Sequence, residues 1–121
     1  MNARIIDGNQ TPWGVFPNVE SGNWKRILNC QQTEEGIVVG FGHLEPGEGR
    51  GFHTHPKGEE EAIYITKGYP TAMWRENGEE KRQRMKPGEI LYTPAGLENN
   101  IMNLEEKEPV ELVFFIKTTP R

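Results

Sequence analysis

The stretch that decides the fold is GEGRGFHTHPKGEEEAIYITKG, residues Gly47 to Gly68. It opens on closely spaced glycines and breaks again at Pro56-Lys57-Gly58. Between the breaks lie short runs with β-type character. Gly51–His55 reads as one extended run, ended by Pro56. Glu61–Lys67 reads as a second, rich in β-branched and aromatic residues and ended by Gly68. A strand places alternate side chains on one face, so His53 and His55 are expected to point the same way. Two imidazoles one strand-repeat apart can grip one metal ion. A carboxylate from the acidic cluster Glu59-Glu60-Glu61, returning on the next strand, can complete a set of two nitrogens and one oxygen. By spacing alone a His-x-His pair is a weak signal, and two structural or solvent-facing histidines fit it equally well.

The same grammar continues in both directions. Trp24–Leu28, Ile37–Leu44, Thr71–Glu76, Lys81–Met85, Ile90–Thr93, Asn99–Asn103 and Val110–Thr118 all read as strands. Asn77-Gly78 is a strong hairpin signal, and Lys86-Pro87-Gly88 and Pro94-Ala95-Gly96 read as turns. The 14 glycines and 9 prolines are spread along the chain, as punctuation of an all-β domain requires. No long helical period competes. Residues 1–23, with Trp13 and Phe16 among prolines and glycines, read as an extended N-terminal arm packed on the domain or on a partner subunit. Residues 24–121 then form one domain, a length that buries a core without staples.

Composition narrows the function. The 18 acidic and 14 basic residues give a formal net charge of −4, which argues against a nucleic-acid binder. The basic run Lys81-Arg82-Gln83-Arg84 follows Glu79-Glu80 and reads as a solvated hairpin strand. Cys30 is the one cysteine, so an intrachain disulfide is excluded, and a reducing cytoplasm is the expected setting. Neither a membrane span nor the apolar core of a signal peptide is evident.

Two spaced motifs give the chain a resemblance to the cupin family. The first reads Gly47, five residues, His53-Thr54-His55, a gap, Glu61, six residues, Gly68. The gap of five residues between His55 and Glu61 is longer than the three or four of the usual pattern. The Glu-to-Gly spacing selects Glu61 over the runner-up Glu60, with Glu59 less favoured. The second reads Gly88, five residues, Pro94-Ala95-Gly96, two residues, Asn99, three residues, Asn103. Asn99 stands where the family pattern has a histidine.

The resemblance implies a small β-barrel or double-stranded jelly roll, often homodimeric, with the N-terminal arm as the element expected to cross over. It also implies a divalent metal (iron, manganese, nickel or zinc) held by His53, His55 and Glu61. Asn99 offers only a neutral amide oxygen, so it is a weak or absent ligand, or it orients water or substrate. His43 is the one spare histidine that could replace it. Met73, Trp74 and Tyr92 lie on strands lining the barrel and are either core or pocket wall. Phe41 and Phe115 are expected in the core, and Cys30 as a small buried hydrophobe. Arg50 is either a solvated loop residue or a partner for a substrate carboxylate.

Two functions follow as expectations. One is a metal-dependent enzyme (dioxygenase, isomerase, epimerase or lyase) acting on a small polar metabolite, an organic acid or sugar-like molecule. The other is a non-catalytic small-molecule-binding cupin with a degraded metal site. Neither a nucleic-acid nor a membrane partner is expected.

Overall fold

The computed structural model describes residues 2–118. Eight strands form, in chain order β1 (Asn23–Leu28), β2 (Ile37–Leu44), β3 (Glu60–Lys67), β4 (Thr71–Glu76), β5 (Glu79–Arg84), β6 (Ile90–Thr93), β7 (Asn99–Met102) and β8 (Val110–Lys117). Short 3-10 turns occur at Gly8–Gln10 and Cys30–Gln32. All pairings are antiparallel and fall into two sheets, one in the order β1-β2-β8-β3-β6 and one in the order β5-β4-β7. This is the all-β domain that the punctuation predicts, arranged as the two-sheet jelly roll that the resemblance implies.

Alternation sorts the residues of the larger sheet. Leu44, Ile63, Ile65, Val110, Leu112, Phe114 and Ile116 face inward and are buried. Each large side chain of this kind contributes roughly 1.5–3 kcal/mol by leaving water. Gly40 and Gly42 occupy inward positions of β2 for a packing reason. A Cβ on Gly40 would lie 2.2 Å from the Phe114 ring, and one on Gly42 would lie 2.6 Å from the Trp24 ring. The two glycines let both rings approach the sheet closely, where they line a cavity.

The smaller sheet meets this core through Ala72 and Ile101, both buried. Its outer hairpin β4–β5 turns at Asn77 and Gly78, whose φ angles of 50° and 78° suit a tight hairpin turn. All six residues of β5 are exposed. Lys81 pairs with Glu79, Arg82 with Glu80 and Arg84 with Glu105, so the basic run is a solvated face.

Three expectations need correction. Gly51–His55 is extended but is not a regular strand. Isolated bridges, Gly49 to Met102 and His53 to Asn99, take the place of a continuous ladder between residues 49–55 and β7. Gly51 has a φ of +89°, which breaks the ladder, and its N–H is taken by the Asn100 side chain at 2.8 Å. Phe41 and Phe115 lie on the outer face of the large sheet, Phe115 being 43% exposed. Strong hydrophobicity did not distinguish the two faces there. Cys30 is only partly buried, although it does pack against the core.

The arm lies along β1. Gly14 and Trp24 exchange two backbone hydrogen bonds of 3.0 and 2.8 Å, which occupies the open edge of that strand. Farther on, Glu20 N donates to Arg50 O and Ser21 N to Gly49 O, each at 3.0 Å.

Candidate metal centre

His53 and His55 reach the site from the extended segment beside β7, and Glu61 from the inward face of β3. The bridge that fixes His53 is reciprocal: His53 N donates to Asn99 O at 3.0 Å and Asn99 N to His53 O at 2.9 Å. Glu61 is one of the inward positions of β3, followed by Ile63 and Ile65, so its burial follows from the same alternation that buries the core.

The three side chains converge. His55 Nε2 stands 3.0 Å from Glu61 Oε1, and His53 Nε2 stands 4.0 Å from the same oxygen. One donor atom from each residue lies within 4.8 Å of the other two. The imidazoles meet edge to face, with centroids 5.1 Å apart and planes at 82°. His55 and Glu61 are buried and His53 is half-buried.

The other nitrogens are already committed. His53 Nδ1 lies 2.9 Å from Gly51 O, and His55 Nδ1 lies 2.6 Å from Glu59 Oε1. An Nδ1–H donated to either oxygen leaves Nε2 of each ring to face the third donor. That tautomer and orientation are what a metal-ligating histidine needs. Glu59, the least favoured carboxylate in the sequence, is thus a positioning residue behind His55. The extra residue in the His55–Glu61 gap is part of the turn that carries it, where Glu59 N donates to Pro56 O.

Electrostatics couples the group. Burial alone would lower the His55 pKa, but hydrogen bonds and charge from Glu61 and Glu59 outweigh it and raise it above the ordinary imidazole value. Burial alone would raise the Glu61 pKa, but His53 and His55 outweigh it and lower it.

A divalent ion suits this donor set. Two imidazole nitrogens and a carboxylate oxygen accept iron, manganese, nickel or zinc, and bonds of about 2.0–2.2 Å place adjacent ligands roughly 3–3.5 Å apart, which matches Glu61 with His55 and asks His53 to move closer.

The remaining candidates fall elsewhere. Glu60 faces outward, and the Tyr92 hydroxyl donates to it at 3.4 Å. His43 projects from the outer face of β2, bound to Glu45 at 2.9 Å, so it cannot replace a ligand inside. Asn99 is buried, but its amide nitrogen is committed to Leu97 O at 3.1 Å and His53 O at 3.4 Å. It stitches the ligand segment to β7 and does not line the cavity.

The cavity beside the donors has a volume of about 280 Å³. Its apolar wall comes from Trp24, Ile63, Phe114 and Ile116, and Phe16 and Val19 of the arm close one side. Of the four expected pocket residues, only Arg50 lines it. Met73 is fully buried against Asn100 on the far side of the small sheet, Trp74 packs on the core near β6, and Tyr92 is 55% exposed on the outer face of β6. Arg26 lines the cavity and was missed in the sequence. It is two residues beyond Trp24 on β1, so strand alternation alone places both on one face.

The cupin-domain family matches residues 40–116, and the chain belongs to that family. No curated protein matches it in sequence. Among solved structures, it is similar to a predicted oxalate decarboxylase from Thermotoga maritima, with a TM-score of 0.77, 22% identity, and coverage of 95% of this chain and 99% of that one. It is also similar to Bacillus subtilis oxalate decarboxylase, a protein with Mn(II) centres, at a TM-score of 0.74 and 19% identity. That match covers 98% of this chain but only 31% of the larger protein. The Drosophila melanogaster CENP-C domain aligns with a TM-score of 0.75 at 14% identity, over 96% of this chain and 79% of that one. At these identities the likeness establishes the fold. Among the described residues no helix is long and apolar enough to cross a membrane.

Proposed function

We propose that this chain is a metal-dependent cupin enzyme. His53, His55 and Glu61 hold one divalent ion, and the cavity beside them takes a small polar metabolite, an organic acid or sugar-like molecule. The supporting observation is the convergence of the three donors, with both Nδ1 atoms already engaged. When bound, the ion supplies Lewis acidity to an oxygen of the substrate. Glu59 keeps His55 in register, Asn99 anchors the backbone of His53, and the apolar wall limits access of water.

Elemental analysis of untagged protein purified without chelator tests this reading. About one equivalent of iron, manganese, nickel or zinc per chain is expected. A chain that holds none, even after reloading, is instead a non-catalytic binding cupin. The position of Asn99 favours that second reading, because its amide nitrogen is committed to backbone carbonyls and the residue does not line the cavity.

We also propose that the chain forms a homodimer through the outer face of its larger sheet. Phe115, Tyr64, Ile90, Tyr92 and Ile37 are each more than a third exposed there. Glu60 and Lys117 are cross-strand neighbours in the same face, so this face carries both signs of charge. Sedimentation should show a dimer for the wild type and a monomer for Phe115→Glu.

A further inference from the structure

Two cationic side chains of the cavity lining lack a carboxylate partner. Among the described residues neither Arg26 nor Arg50 forms an ion pair, although Arg75, Lys81, Arg82 and Arg84 all do. Arg50 donates to the Asn18 carbonyl at 2.8 Å, and the Arg26 guanidinium lies 5.8 Å from the Phe16 ring centroid. Both contacts are with neutral arm groups and leave most of the guanidinium donors open. Burial lowers the Arg50 pKa, Glu61 opposes that, and Arg26, which lines the same cavity, adds to it.

Two like charges that line one cavity repel each other, and an anion between them relieves that repulsion. Glu59 and Glu61 also line the cavity, but His53 and His55 engage them and the arginines do not pair with them. Arginine presents a planar fork of donors that matches carboxylate and phosphate oxygens. The wall of Trp24, Phe114 and Ile116 offers these anions no hydrogen bonds and suits a hydrocarbon body.

We propose that Arg26 and Arg50 form the anion-recognition half of this site, and that its ligand is a small organic anion with an apolar body. The anionic group, carboxylate or phosphate ester, sits at the arginines, and the body runs along the apolar wall toward His53, His55 and Glu61. This excludes neutral sugars as the preferred ligand class. The inference rests on the reading of the site as a ligand cavity, but not on the ion being retained.

The test is titration calorimetry on the full chain, with metal content measured on the same samples. The probes are benzoate, phenyl phosphate and the neutral isostere benzamide. Wild type should bind at least one anion ten-fold or more tighter than benzamide, and the preferred anion identifies the group. Arg26→Gln and Arg50→Gln should each weaken that anion at least five-fold and leave benzamide unchanged, with Arg50→Lys in between. Should Arg50→Gln fail to fold, the exposed Arg26→Gln carries the test. The proposal is overturned if benzamide binds as well as both anions, if none of the probes binds, or if the Gln variants keep wild-type affinity. A metal-free chain that still discriminates through its arginines would sink the metal reading and leave this one standing. A metal-bearing chain indifferent to charge would do the reverse.

Discussion

Two basic side chains are almost equally buried in this molecule, and they are held in opposite ways. Lys25 is 6% exposed and His55 is 7% exposed. Lys25 Nζ donates to Gly8 O at 2.9 Å and Thr11 O at 3.3 Å, and lies 4.5 Å from the Trp13 ring centroid. All these partners are neutral and belong to the arm. His55 sits between two carboxylates, Glu59 and Glu61. The lysine is satisfied by neutral groups of the arm, so its site is structural. The histidine shares Glu61 with His53, at the point where a metal ion would serve both rings. Burial alone does not mark a functional cation; partners that a ligand can take over do.

The largest effect that can break this contrast comes from the histidines. A His53→Ala/His55→Ala double variant should lose the retained metal entirely by elemental analysis, with the arm undisturbed. Metal kept at wild-type stoichiometry would place it elsewhere. Glu59→Gln should weaken metal affinity about 10–100-fold in chelator competition, the usual cost of losing the partner behind a ligating histidine. An unchanged affinity would make Glu59 a bystander.

Lys25→Met tests the other half. It removes charge-assisted bonds to two carbonyls and should cost about 2 kcal/mol in denaturant unfolding. Metal content should not move. If it does, the two regions are coupled and the contrast fails.

The titration of the pair gives a smaller and signed effect. The folded pKa of His55 is raised, so its contribution to stability is complete below its unfolded value and is lost as pH rises through the folded one. The folded pKa of Glu61 is lowered, so its contribution is present above its unfolded value and is lost as pH falls through the folded one. Chelator-treated protein should therefore lose stability as pH climbs past the His55 value. Metal affinity should run the other way, falling about ten-fold per unit as pH drops below that value, because the ion must displace the proton. Parallel trends would disprove the competition.

Smallest is Thr93→Val. The Thr93 hydroxyl is fully buried without a hydrogen-bond partner, directly across from Glu61 in the β3–β6 ladder. Its removal should leave stability unchanged or raise it by about 1 kcal/mol in thermal melts. A loss of metal affinity in this variant would show that the hydroxyl serves the site.

The strands were legible because glycine and proline punctuate them, and Glu61 because its spacing to Gly68 singles it out from its two neighbours. What escaped depends on facts that spacing does not carry. Glu59 acts through a turn, where side-chain direction has no period. Phe41 and Phe115 are as hydrophobic as the core but take the outer positions of β2 and β8. Met73 sits on a strand buried on both faces, where alternation does not separate wall from core. Arg26 was within reach, since the rule that paired His53 with His55 also pairs it with Trp24.

The seat of Lys25 also gives the molecule a built-in clock. An amine buried under carbonyls and an indole is shielded from acylating reagents as long as the arm stays down, whereas Lys57, Lys81 and Lys107 are exposed throughout. The lag between modification of those lysines and of Lys25, read by mass spectrometry, therefore reports how often residues 8–13 lift from the barrel.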